Sequence, residues 1–173
     1  MKQAIAANSR LEEYFLTALK ELYWSEVNLI SVLTTMSEVA TDPELQEAFK
    51  THTEQTADHV IRLDNVFNTM DTQPEQVHCV GLQGLFDEGW KVIDETEAGP
   101  QRDMALIIAA QKVEHYEIAC YGSMCTLAKT MGREDIAKIL AQTLNEEKET
   151  DLLLTELAES NINQEASEEP ASV

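Results

Sequence analysis

Glu26, Glu114 and Glu147 each occupy a position where the surrounding periodicity asks for an apolar side chain. Leu11, Phe15, Ala18, Leu22, Glu26, Leu29, Leu33 and Met36 recur at steps of three and four, the spacing that lines one face of a helix. The same stepping runs through Met104, Ile107, Gln111, Glu114, Ile118, Tyr121, Cys125 and Ala128. It returns in Ile136, Leu140, Leu144, Glu147, Asp151, Leu154 and Leu157. In every case an acid interrupts an otherwise apolar stripe. A carboxylate left alone among hydrocarbon costs several kcal/mol, of the order of an ion's desolvation. Such positions need partners, and several acids converging on one place are met either by a cation or by a network of shared protons.

A fourth stripe, Leu45, Phe49, His52, Gln55 or Thr56, His59, Leu63 and Val66, carries two histidines. The four prolines and six glycines leave long stretches unbroken, and strict Val/Ile alternation is absent, so the chain reads as all-α. Helices are predicted over 9–39, 43–71, 101–131 and 134–160, with a shorter one over 82–95. Thr41-Asp42-Pro43 supplies a stop, an N-cap and a first-turn proline, and Gly132 closes the third long helix. Connections this short force two antiparallel hairpins. Residues 72–99 are numerous enough to travel the length of a helix of ~40 Å at 1.5 Å per residue, so they can form a crossover. The expectation is a ferritin-like four-helix bundle spanning residues 1–160, with the extra helix in its crossover. The polar, acidic tail 161–173 is expected to be disordered.

The halves repeat. Glu26 and Glu114 lie 88 positions apart, while Gln55 and Glu147, like His59 and Asp151, lie 92 apart. Glu54-Gln55-x-x-x-His59 thus answers Glu146-Glu147-x-x-x-Asp151, and residues four apart share a helical face. Glu26, His59, Glu114, Glu147 and Asp151 form a candidate ligand set for iron or manganese, which carboxylate and imidazole donors suit. The usual Glu-x-x-His spacing of such bundles is missing, and Gln55 stands where a carboxylate is expected, so one ion or an uneven pair fits. Glu117, at the edge of the inner face, either joins the metal or pairs with Lys112. His52 and Tyr121 read as packed core residues. Glu54 lies about 140° around the helix from His59, a solvated direction.

The net charge of −20, from 12 basic and 32 acidic side chains, argues against nucleic acid or an anionic membrane as partner. No apolar run approaches the roughly 20 residues of a membrane span, and no signal-peptide core follows Met1, so the cytoplasm is the expected compartment. Cys79, Cys120 and Cys125 show no zinc or redox spacing and are expected to pack.

The string Gln111-Lys112-Val113-Glu114-His115-Tyr116-Glu117-Ile118-Ala119, followed by Tyr121-Gly122, resembles the third helix of the YciE/YciF ferritin-like family, DUF892. Glu21-Leu22-Tyr23-x-x-Glu26, His52-x-Glu54-x-Thr56, Arg62-Leu63, Cys79 with Gly84-Leu85, and Glu146-Glu147-Lys148-x-Thr150-Asp151 agree, so the likeness extends over residues 9–163. It implies a homodimeric ferritin-like bundle with a candidate dinuclear centre, a role in bacterial stress, and Glu54 as one acid of that centre. Two functions are expected from this reading. One is a metal–carboxylate protein that meets a small oxidant such as O2 or peroxide. The other is a non-catalytic dimeric scaffold that kept the fold and lost the chemistry.

Overall fold

Side chains settle the free backbone groups at the starts of the first two helices in the computed structural model, which describes residues 9–170. α1 (Arg10–Val39) is capped by Ser9, whose hydroxyl accepts from the Glu12 N–H at 3.2 Å. α2 (Pro43–Thr69) begins at the expected proline, and Asp42 Oδ1 accepts from the N–H groups of Glu44 and Leu45, both at 2.9 Å. α3 (Val80–Glu95) is the short crossover helix. Gly132, at φ 76°, supplies the left-handed turn between α4 (Pro100–Thr130) and α5 (Glu134–Leu157).

The short connections make α1/α2 and α4/α5 two hairpins, and the hairpins pack side by side, α2 on α5 and α1 on α4. Asp103 fastens them at one end. Its carboxylate, 1% exposed in the first turn of α4, accepts from the Thr41 and Asp42 N–H groups, each at 2.8 Å, and from the Thr41 hydroxyl. The crossover runs back beside α1, where the Val77 N–H donates to Lys20 O at 3.2 Å, and α3 then lies against α4.

The apolar interior falls into two separate clusters. One gathers Leu29, Leu33, Met36, Leu45, Phe49, Leu106 and Leu154 near the Asp103 end, and the other gathers Phe15, Leu19, Leu63, Phe67, Ile136 and Leu140 near Gly132. Between them lies a polar layer, which is where the interrupting acids of the stripes arrive.

The C-terminal tail departs from the expected disorder. After α5 the chain makes a π turn over Ala158–Ile162 and continues as α6 (Asn163–Glu168). The wider i→i+5 turn carries Ile162, five residues beyond the buried Leu157, into the core at 2% exposure. Past α6, Glu169 Oε2 accepts from the Gln101 N–H at 2.9 Å, placing a carboxylate at the N-terminus of α4. Composition alone hides one apolar anchor and one acid that caps a helix. Residues 1–8 and 171–173 lie outside the described ones. Among the described residues, no helix is long and apolar enough to cross a membrane.

Candidate metal centre

Four carboxylates and two imidazoles from all four long helices meet in the polar layer. α1 gives Glu26, α2 gives His52 and His59, α4 gives Glu114 and Glu117, and α5 gives Glu147, none more than 2% exposed. All of them except Glu117 form two overlapping groups, Glu26–His59–Glu147 and His52–Glu114–Glu147, each with ligand-type atoms within 4.8 Å of one another. Glu147 belongs to both. Its Oε1 lies 3.0 Å from His59 Nδ1, and its Oε2 lies 3.6 Å from His52 Nε2. His52 Nε2 is also 3.3 Å from Glu114 Oε1, and His59 Nδ1 is 3.3 Å from Glu26 Oε2.

These contacts are close without being aligned. His52 Nε2, Thr56 Oγ1, Glu114 Oε2 and both oxygens of Glu117 and of Glu147 are buried with no hydrogen-bond partner. A ring N–H points along one line, so His59 can bond Glu26 while only standing beside Glu147. Buried polar atoms are almost always satisfied, so this many orphans in one polar layer could hold a cation. The donor set fits hard or borderline divalent ions, and four carboxylates carry the charge that two such ions neutralise.

Without a cation the same groups hold protons. Burial lowers the basicity of His52, yet Glu114 and Glu147 outweigh it and leave its pKa at about 9. Burial acts likewise on His59, and Glu26 and Glu147 bring it to about 11. Glu147 is pushed up to about 7 by burial and by Glu26 and Glu114, against the pull of the histidines. Glu117 rises well above the usual carboxylate range through burial and the three neighbouring carboxylates. Around this set, the Tyr121 hydroxyl donates to Glu26 Oε1 at 2.5 Å. On the α2/α5 side, His59 Nε2 meets Glu146 Oε2 at 2.9 Å, and Arg62 grips Glu146 with a two-pronged pair at 2.6 and 2.8 Å. Glu146 is held below its ordinary pKa by Arg62 and His59, although burial opposes them.

Of the ligands read from sequence, the structure brings together Glu26, His59, Glu114, Glu117 and Glu147. It leaves out Glu54 and Asp151. Glu54 is exposed, as its helical angle required. Asp151 sits at the rim, where its carboxylate bonds His115 Nε2 at 3.1 Å and Gln111 Nε2 at 3.2 Å. The cause is a one-residue slip in the internal register. Buried polar positions of α2 and α5 correspond at 91: His52 to Thr143, Thr56 to Glu147, and His59 to Thr150. One residue turns a helix by about 100°, enough to exchange an inward side chain for a rim one. In the correct register the inward pairs are Thr56-x-x-His59 and Glu147-x-x-Thr150, two complementary halves of a Glu-x-x-His motif. His52 belongs with the centre, not with the packed core. The seven-residue spacing from His59 was the signal, since it keeps both rings on one face.

A bundle of this topology with a buried carboxylate–histidine layer defines a ferritin-like helical protein. The fold matches that of Dps from Thermosynechococcus elongatus with a TM-score of 0.63 at 16% identity, over 88% of this chain and 94% of that one. The chain belongs to the family described as Domain of unknown function (DUF892), whose model matches residues 10–167. It is 41% identical to Protein YciF of Escherichia coli (strain K12) over 157 residues, 90% of this chain and 95% of the relative. The crystal structure of that E. coli stress protein superposes with a TM-score of 0.86, covering 91% of this chain and 99% of YciF. YcfI of Rhodopseudomonas palustris, described in terms of a structural role without an activity, is 33% identical with a TM-score of 0.83 over 87% of this chain and 98% of its own.

Proposed function

We propose that this protein binds one or two iron or manganese ions in the layer between its hairpins and meets a small oxidant, O2 or peroxide, there as part of a bacterial stress response. The observation that carries this reading is the set of buried carboxylate oxygens without hydrogen-bond partners on Glu114 and Glu147, which lie beside His52 and His59, and on Glu117, which lies among the other carboxylates. Glu26, His59 and Glu147 would hold one ion, and His52, Glu114 and Glu147 the other. Glu117 supplies a further carboxylate on the α4 side. Tyr121 orients Glu26 through its hydrogen bond, and the Arg62–Glu146 pair fixes the ring of His59 from the rim. Such ions, when bound, would supply one-electron redox chemistry there. The homodimer expected from the sequence belongs to the same reading.

Metal analysis of protein purified without chelator tests this. Near-integral iron or manganese is expected, and its loss in Glu114→Ala/Glu147→Ala. Metal content unchanged in that variant sinks the proposal. A second reading, a bundle that serves as a scaffold, is favoured by Thr56, which stands where α5 presents Glu147 and removes a carboxylate from the α2 arm. It predicts substoichiometric, mixed ions.

A further inference from the structure

The crossover carries Cys79 to α4, where it lines one cavity with a second thiol 41 residues away in sequence. Cys79 Sγ lies 3.1 Å from Tyr116 Oη, and Cys120, one turn further along α4, lies near the same phenol. Both sulfurs line one cavity of about 300 Å³ between α1 and α4, together with Glu21, Ser25 and Tyr116. Two thiols that line one cavity beside one phenol can be brought together by side-chain rotation joined to a shift of the backbone. The backbone that must give is that of Cys79. It precedes the first residue of α3, its side chain makes no capping bond, and residues 72–78 before it have no regular secondary structure. Cys125 stands apart, buried, with its thiol directed to Ala137 O at 3.7 Å.

We propose that Cys79 and Cys120 are a redox-active thiol pair that closes into a disulfide when a peroxide enters the cavity. Cys120 is half-buried and Cys79 only 4% exposed, so Cys120 meets the oxidant first, and because burial pushes its thiol pKa up the attack is slow. The Cys120 sulfur attacks one peroxide oxygen and the O–O bond breaks. The departing oxygen takes the thiol proton and leaves as water, and Cys120 becomes a sulfenic acid. The Cys79 sulfur then attacks the Cys120 sulfur and the S–O bond breaks. Hydroxide leaves as a second water with the Cys79 proton, which the adjacent Tyr116 hydroxyl can pass on. Two thiols supply two electrons to one peroxide, and the products are one disulfide and two waters.

The test uses the full chain in excess chelator, so that its failure is independent of whether the buried centre binds metal. After hydrogen peroxide treatment, free thiols counted under denaturing conditions should fall from three to one. Non-reducing peptide mapping should show Cys79 linked to Cys120, with a mass loss of about 2 Da that reductant reverses. Cys125 should stay free. In Cys79→Ser, the Cys120 sulfenic acid should accumulate and be captured by dimedone, because no resolving thiol remains. Oxidation of Cys79 and Cys120 without a link between them, a link to Cys125, or a link between chains overturns the proposal.

Discussion

Loading the buried centre with a divalent ion should expel protons, and the structure sets how many. At pH 8 the metal-free protein carries a proton on His59, whose pKa is about 11, and one on His52 at about 9. Glu117, raised well above the usual carboxylate range by burial among three carboxylates, adds a third wherever it still holds its proton, whereas Glu147, at about 7, is mostly ionised. An imidazole must be neutral and a carboxyl ionised to ligate, so a chain that fills both groups should release two protons, or three if Glu117 takes part. Each proton makes the loading free energy depend on pH by about 1.4 kcal/mol per unit. Going from pH 8 to 7 should therefore weaken the product of the two binding constants by a factor of ~100 to ~1,000. Titration calorimetry with Mn²⁺ at pH 8, in two buffers of different ionisation enthalpy, reads the proton count as the slope of apparent enthalpy against buffer enthalpy. His52→Gln/His59→Gln should lower that slope by two. Surface carboxylates are already ionised at pH 8 and release nothing on binding. Saturable binding with a slope of zero would therefore place the ions on the acidic exterior and refute the assignment of the centre.

Glu117→Leu, measured in chelator, should stabilise the metal-free protein by about 1–4 kcal/mol in urea unfolding, because it removes a buried acid whose oxygens have no partners. Destabilisation instead would show that the carboxyl has a bonding role without metal. Asp103→Ala removes the acceptor of three hydrogen bonds from Thr41 and Asp42 and should cost about 3–5 kcal/mol in the same assay. A loss under 1 kcal/mol would mean the fastening of the hairpins is incidental. For pH, His52 and His59 bind protons more tightly folded than unfolded. Their stabilisation is complete below about pH 6.5 and lost as pH rises through about 9 and about 11. Glu147 acts in the same direction between its ordinary 4.5 and about 7. The melting temperature of chelated protein should fall between pH 6 and pH 10, and a flat or rising profile would contradict the proton-filled centre.

Much of this centre was legible before any coordinates. Glu26, Glu114 and Glu147 stood out because each breaks an apolar stripe, and such a break identifies a buried acid whichever way neighbouring helices pack. Choosing between adjacent residues was harder. Gln55 or Thr56 fits the α2 stripe, and only contact with α5 decides that Thr56 turns inward. The internal repeat inherited that ambiguity and drew Asp151 inward by one position. Glu117 was ambiguous because a residue three from Glu114 lies at the edge of the face, and the neighbouring helix decides whether that edge is covered. That Cys79 and Cys120 line one cavity was invisible, since it depends on how the crossover returns, and local spacing carries nothing about that route.

The π turn at Ala158–Ile162 amounts to one surplus residue stored in the last stretch of helix. Excising a single position among 158–161 would let the ladder revert to i→i+4 and still deliver the isoleucine to its socket, with everything downstream in unchanged phase. The C-terminal seam can thus lose one codon silently, a latitude for indels that the rest of the described helices, locked in step around the polar layer, do not share.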